Sequence, residues 1–393
     1  MLKKLVFVHD HIFRTHNGNV YSASAFPSTS WERYLEYFDT VTVIGRSYGE
    51  TSDVSGLVRS SRDNVNFLFV DSISSASFSV LKARKRLRRL LESVIRKSDA
   101  VVVRLPSENG NIASHLASEM KKPLAAEVVG CAWDAYWNYG SFLARLYAGI
   151  AYVRMKRSVK KSNMALYVTA KFLQSRYPVR SGCKTVAASN VVLGEGWIAK
   201  EVLKVVRLDE TGKYVIGLVG NFKTNYKGID LAILCISELR RKGFDVSLRI
   251  LGSGDNSAYR SLSEKLGIQD FVEFSGSLPN GNSVIEWLDK VDFYIQPSRQ
   301  EGLPRSLIEA MSRGKTCFGS DVGGIPELLP PEFVHKKDNW RDLAQKIAQA
   351  FQRGQVVNFD INNWQNSKRY SFHLLAQKRS DFFSALRGDA EYD

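Results

Sequence analysis

The chain has 393 residues, a formal net charge of +15 and an ordinary balance of 44% hydrophobic and 24% charged residues. That length predicts two domains, each able to bury its own core, and the lack of any run of about 18 apolar residues excludes a transmembrane helix. Cys131, Cys183, Cys235 and Cys317 show no C-x-x-C spacing, which excludes a zinc cluster or a disulfide frame and points to a reducing cytoplasm, while so basic a chain calls for nucleic acid, anionic lipid or a phosphorylated substrate.

The start, MLKKLVFVHDH, stops being apolar at His9, short of a signal peptide's core, and reads as a first strand. Apolar runs at Leu5 to Val8, Val41 to Ile44, Phe67 to Val70, Ala100 to Val103, Leu124 to Val129 and Met164 to Val168 alternate with helical stretches. This is the rhythm of a doubly wound parallel α/β sheet. After the first strand, Asn17-Gly18-Asn19 supplies a tight turn that can lead into a following helix, and His9, Asp10, His11 and His16 either line its mouth or serve as structural hydrogen-bonders.

Lys82 to Lys97 carries eight basic residues against Glu92, with Leu87, Leu90, Leu91, Val94 and Ile95 forming an apolar stripe. It fits an anionic membrane surface, or else a helix whose stripe packs on the core and whose basic face is solvated. A second basic run, Arg154 to Lys161, follows the apolar segment Phe142 to Val153. Arg104 and Glu108 lie at a strand's carboxyl end, where they either address an acceptor or pair with each other. Glu127 and Asp134 flank another such end, beside the aromatic group Trp133, Tyr136, Trp137 and Tyr139, whose rings either stack on sugars or simply pack.

A polar stretch from Lys200 to Lys213 reads as the interdomain connection. The second half opens with a strand at Tyr214 to Val219 and the turn Gly220-Asn-Phe-Lys-Thr-Asn-Tyr-Lys227-Gly228. Further strands end at Gly252-Ser-Gly254 and at Ser275. The segment Val291 to Pro326 then gives an apolar strand, a polar turn, a helix from about Pro304, and a strand at Lys315 to Gly319 ending in a glycine-rich turn. Glu301 and Glu309 bracket the helix start about two turns apart, the latter on the face of Arg305. They are either ligand-binding groups beside an anion-binding helix N-terminus or solvated acids favouring the helix dipole. The tail shows two helical patterns separated by an Asn-rich turn at Asn358 to Asn363.

The order E-G-L-P-R-S-L-I-E, A-M-S-R-G-K, V-G-G-I-P-E-L over residues 301 to 328 resembles the signature of glycosyltransferase family 4. The resemblance implies a GT-B fold, with two Rossmann-like doubly wound parallel-sheet domains facing a central cleft, over residues 1–190, 191–365 and a returning helix at 366–393. It implies a retaining enzyme in which Glu301 lies beside the donor sugar and Glu309 holds the ribose hydroxyls of a nucleotide-sugar. Gly220, Gly252, Gly254, Ser275, Gly302, Leu303 and Pro304 would line the donor pocket, while Gly18, Asn19, Arg104, Glu127 and Asp134 would face the acceptor. Lys227 matches the family's diphosphate-clamping lysine. The arginine expected after the first glycine is Asn221, leaving a weaker clamp or one that recruits Lys223, and no histidine stands between Glu127 and Asp134 where many members carry one.

The expected function is sugar transfer to a glycan or lipid-linked acceptor in cell-surface polysaccharide synthesis, of capsule or O-antigen type. No cofactor or metal is expected, no nucleic-acid partner, and the setting would be cytoplasmic with an inner-membrane surface reached through Lys82 to Lys97. The alternatives are a GT-B nucleotide-sugar epimerase and, from charge alone, a basic nucleic-acid-binding protein.

Overall fold

The computed structural model describes residues 2–23, 25–70, 78–138, 141–194, 196–200, 212–279, 281–352 and 356–390. Tyr139 and most of the expected connection, residues 201–211, lie outside them. The chain divides into two compact units, Met1–Ala188 with Ala376–Asp393, and Ser189–Leu375.

The first unit is built on a nine-stranded sheet of β1 (Lys4–His16), β2 (Asn19–Ser22), β3 (Thr40–Glu50), β4 (Val58–Arg59), β5 (Val65–Val70), β6 (Ala100–Leu105), β7 (Leu124–Val128), β8 (Met164–Tyr167) and β9 (Lys184–Ala187). β1 lies parallel between β3 and β6, and β7, β8 and β9 follow outward in parallel from β6. Strands covered on both faces need side chains that tolerate complete burial, and Val101, Val102 and Val103 are 0% exposed. The first strand does not stop at His9. It runs past an irregularity in its pairing between Val8 and Ile12 and turns back into antiparallel β2, so Asn17-Gly18-Asn19 closes a hairpin and does not lead into a helix. Positive φ at Asn17 (48°) and Gly18 (73°) matches the twist of such a two-residue connection.

The Phe78–Arg96 helix shows where the apolar stripe of the basic stretch goes. Leu87, Leu91 and Ile95 are at most 3% exposed and belong to the core of this unit, so the apolar stripe is spent inside the protein and only the basic face looks outward.

The second unit has six parallel strands: β10 (Lys213–Val219), β11 (Asp245–Leu251), β12 (Val272–Phe274), β13 (Phe293–Gln296), β14 (Thr316–Ser320) and β15 (Val334–His335), in the order β12-β11-β10-β13-β14-β15. The tail departs from expectation. Asn358 to Asn363 is not a turn but part of the Val356–Ser367 helix. Asn363 is 3% exposed and donates its side-chain amide to the Lys315 carbonyl at 2.9 Å, while the Trp364 indole donates to the Ala199 carbonyl at 2.8 Å. Those anchors outweigh the weak helix propensity of asparagine. From Ala376 the final helix, Phe372–Asp389, belongs to the first unit, where Phe383 is fully buried with its ring centroid 5.0 Å from that of Tyr34.

Candidate active site

In the second unit the strand order reverses between β10 and β13, because β11 and β12 run outward on one side and β14 and β15 on the other. At such a switch point the loops leaving two adjacent carboxyl ends diverge and open a crevice. The loop after β10 carries Gly220 to Lys227, and the loop after β13 carries Pro297 to Glu301. Across this crevice the Lys227 ammonium lies 2.6 Å from Glu301 Oε1, with the two side chains 18% and 9% exposed.

Glu301 is held by more than the lysine. Ser298 Oγ donates to Oε1 at 2.7 Å and Gln296 Nε2 at 3.1 Å. Behind them, Gln296 Oε1 accepts from Tyr294 OH and Ser306 Oγ, both at 2.9 Å, and these partners are buried. A polar network of this kind, converging on one carboxylate oxygen, fixes one carboxylate geometry. All three donors address Oε1, so Oε2 has no hydrogen-bond partner among the described residues.

Arg299 latches the two loops together. Its guanidinium binds Asp230 through two nitrogens at 2.7 and 2.8 Å, the Asn225 carbonyl at 2.7 Å and Asp338 at 2.6 Å, while its backbone N–H donates to the Tyr226 carbonyl at 2.6 Å. Close approach also needs missing side chains. A Cβ on Gly228, where φ is 68°, would lie 2.0 Å from the Pro297 carbonyl oxygen, and one on Gly252 would lie 1.8 Å from that of Gly220. The Gly252–Gly254 turn is tied to the first loop by the Phe222 N–H on the Ser253 carbonyl and to the β12 end by the Gly252 N–H on the Gly276 carbonyl.

Pro304 caps the Arg305–Ser312 helix, and Gly302 accepts from the Gly324 N–H of the glycine-rich turn at 2.7 Å. Leu303 packs on the core. Glu309, on the first turns of this helix, is 8% exposed, and its closest cation is Arg305 at 3.6 Å, beyond hydrogen-bonding distance. Burial pushes its carboxyl up to about 7, only partly offset by Arg305. Asn221 turns its side-chain oxygen onto the Lys223 N–H, and Lys223 itself is exposed, so neither joins the Lys227–Glu301 pair. Ser275 is engaged by Trp287 and Glu273.

In the first unit the structure brings Arg104 and Glu127 together at 2.7 Å and adds the Tyr34 hydroxyl, which donates to Glu127 at 2.6 Å. Glu127 is 2% exposed, so this trio is an internal brace. Glu108 pairs instead with Arg154, and Asp134 with Arg176. Gly18 stands exposed at the hairpin turn beside Asn19. A pocket along the second half of β1 is lined by His9, Asp10, His11, Arg14 and Arg46 among others. Burial, with Arg104 next, holds the His9 and His11 imidazoles below their usual range, His11 at about 4. Both are therefore neutral near pH 7. Sequence reasoning missed Gln296, Ser298 and Arg299. A glutamine ending an apolar strand was the one available signal, since a polar side chain there is buried only if something binds it.

Two α/β units, each built on a mainly parallel sheet, define the class: the GT-B fold of glycosyltransferases. The chain belongs to the glycosyl transferases group 1, whose family pattern matches residues 213–353. Protein CapJ of Staphylococcus aureus is 33% identical over 378 residues, covering 96% of this chain and 94% of that protein. The putative colanic acid biosynthesis glycosyltransferase WcaL of Escherichia coli is 33% identical over 135 residues, 32% of this chain and 33% of that protein. Among solved structures, HepE of Anabaena in complex with UDP has the same fold, with a TM-score of 0.66 at 13% identity, covering 98% of this chain and 100% of that one. Among the described residues no helix is long and apolar enough to cross a membrane.

Proposed function

We propose that this chain transfers a sugar, with retention at the anomeric carbon, from a nucleoside diphosphate donor to a glycan or lipid-linked acceptor in cell-surface polysaccharide synthesis. The observation that carries the reading is the joining of Lys227 and Glu301 at 2.6 Å across the switch-point crevice. Relatives support it further: WcaL bears a polysaccharide biosynthesis name, and HepE was crystallised with UDP and with UDP-glucose. A uridine diphosphate sugar is therefore the first donor class to test.

In this mechanism the bond between the anomeric carbon and the diphosphate oxygen breaks, and its electron pair leaves with the diphosphate. Lys227 and the N–H groups at the start of the Arg305–Ser312 helix neutralise that charge, so no metal is required. Glu301, pinned through Oε1, offers Oε2 to a sugar hydroxyl or to the oxocarbenium-like centre. The acceptor hydroxyl forms the new bond on the face just vacated, and its proton passes to the departing phosphate oxygen. Glu309 receives the ribose hydroxyls, which supply hydrogen bonds to a buried carboxylate otherwise short of them.

Calorimetry against UDP, GDP, ADP and their sugars tests the reading, since selective binding stabilises the folded state. Selective UDP binding that is lost in Lys227→Ala supports it. Equal indifference to all nucleotides, or conversion of the donor to an epimer without release of diphosphate, overturns it.

A further inference from the structure

The Phe142–Lys161 helix has two apolar faces, and only one is used. Ala148, Ala151, Met155 and Val159 are at most 2% exposed against the first unit. On the opposite side Phe142, Leu143, Leu146, Ile150 and Val153 are 74%, 76%, 61%, 55% and 43% exposed. At about 100° per residue these five fall on one stripe, and Arg157 and Lys160 continue it into the last turns. Scattered exposed leucines need no explanation, but a continuous row of five large side chains on one helix marks an interaction surface.

The chemistry of the surroundings selects the partner. The helix carries no acidic residue, and Arg145, Lys156, Arg157 and Lys160 are exposed along it. Trp137, 43% exposed and stacked on Trp133 at 5.3 Å, lies just before the helix and adds a ring of the kind that settles at a lipid headgroup boundary. The Phe78–Arg96 and Phe142–Lys161 helices both pack against the Glu108–Glu119 helix between them. Right-handed crossovers place all three in one layer, so the exposed Lys82, Lys85 and Arg89 belong to the same side of the unit. Apolar side chains that leave water beside a field of cations match an anionic bilayer surface. A second copy would bring like charge against like.

We propose that the first unit docks on anionic lipid by laying the outer face of the Phe142–Lys161 helix into the headgroup region, with the basic face of the Phe78–Arg96 helix supplying long-range attraction. The helix lies on the membrane and does not cross it, its six basic residues forbidding a span. This relocates the apolar contact from the stripe at Leu87 to Ile95, which the core occupies, to one that no other described residue of the unit covers. It is independent of the donor reading.

Co-sedimentation of the full chain with phosphatidylcholine vesicles, with and without phosphatidylglycerol, tests the proposal alongside UDP calorimetry. Binding is expected only to the anionic vesicles. Replacing Leu143, Leu146 and Ile150 together by Ser should lower the partition coefficient by about tenfold or more, because several buried methylenes are lost. Replacing Lys82, Lys85 and Arg89 by Gln should weaken binding most at low salt. Both variants should keep the thermal midpoint and nucleotide response of the parent, which separates docking from folding and from the donor reading. No binding to anionic vesicles at low salt, or undiminished binding by the serine variant, overturns the proposal. So does sedimentation showing a dimer that the serine variant abolishes, which would assign the face to a second copy.

Discussion

Lys227 Nζ lies 2.6 Å from Glu301 Oε1, although 74 positions separate the two residues in the chain. The pair exists because β10 and β13 are neighbours, and it gives the crevice a cation and a carboxylate held in one geometry. Its first consequence concerns turnover. Lys227→Ala and Glu301→Gln should each lower kcat/KM by about 10²–10³, the range for losing one preorganised electrostatic group. The double variant should be little worse than either single one, since the two act as a unit. Additive losses in a double-mutant cycle would show that they serve separate steps.

Gly228→Ala should damage the site through geometry alone. The new methyl would lie 2.0 Å from the Pro297 carbonyl oxygen at a φ of 68°. Either the loop after β10 or the loop after β13 must move, at a cost of about 1–3 kcal/mol or more. Thermal unfolding should show a lower midpoint, and calorimetry should show lost nucleotide affinity. An unchanged midpoint would mean that the two loops are not packed as described.

Arg299→Ala should release the latch between the two loops, leaving Asp230 without its bidentate partner and the Asn225 carbonyl with only the Gly228 N–H as donor. The expected destabilisation is about 2–4 kcal/mol, with weakened donor binding. Arg299→Lys should recover only part of it, because one ammonium cannot reproduce the fork. Full rescue by lysine, read by denaturant unfolding, would reduce the contact to a simple charge effect.

The buried carboxyl of Glu309 gives a pH dependence of definite sign. Its usual value of 4.5 rises to about 7 in the folded chain, so between those values the folded state binds the extra proton. Stability contributed by this group is therefore present at low pH and declines as pH rises through that window, by at most about 3 kcal/mol. Glu309→Gln should flatten the slope of thermal midpoint against pH between about 5 and 8. If Glu309 binds ribose as proposed, the same change should lower UDP affinity most at the alkaline end. A slope that survives the substitution would assign the titration to another group.

Metal removal should leave turnover unchanged, because Lys227 and the helix N-terminus are proposed to carry the diphosphate charge. Assays with and without EDTA check this directly. Loss of activity restored by magnesium would require a cation site that the mechanism does not contain.

Much of this protein was legible in its residues. Continuous apolar runs such as Ala100 to Val103 and Phe293 to Ile295 announce parallel strands covered on both faces, because nothing polar survives there unbonded. The spacing of Glu301 and Glu309 around a helix start is likewise local and follows from helical geometry. What the order of residues left open was decided by which elements became neighbours. The 2.6 Å contact of Lys227 and Glu301 depends on strand order, a property of the whole sheet. Asn363 sits in a helix because the Lys315 carbonyl accepts from it. The apolar stripes at Leu87 to Ile95 and Phe142 to Val153 look alike as sequence, since helical periodicity records that a face avoids water without recording what covers it. Only packing separates them, placing the first stripe against the β-sheet core and leaving the second open.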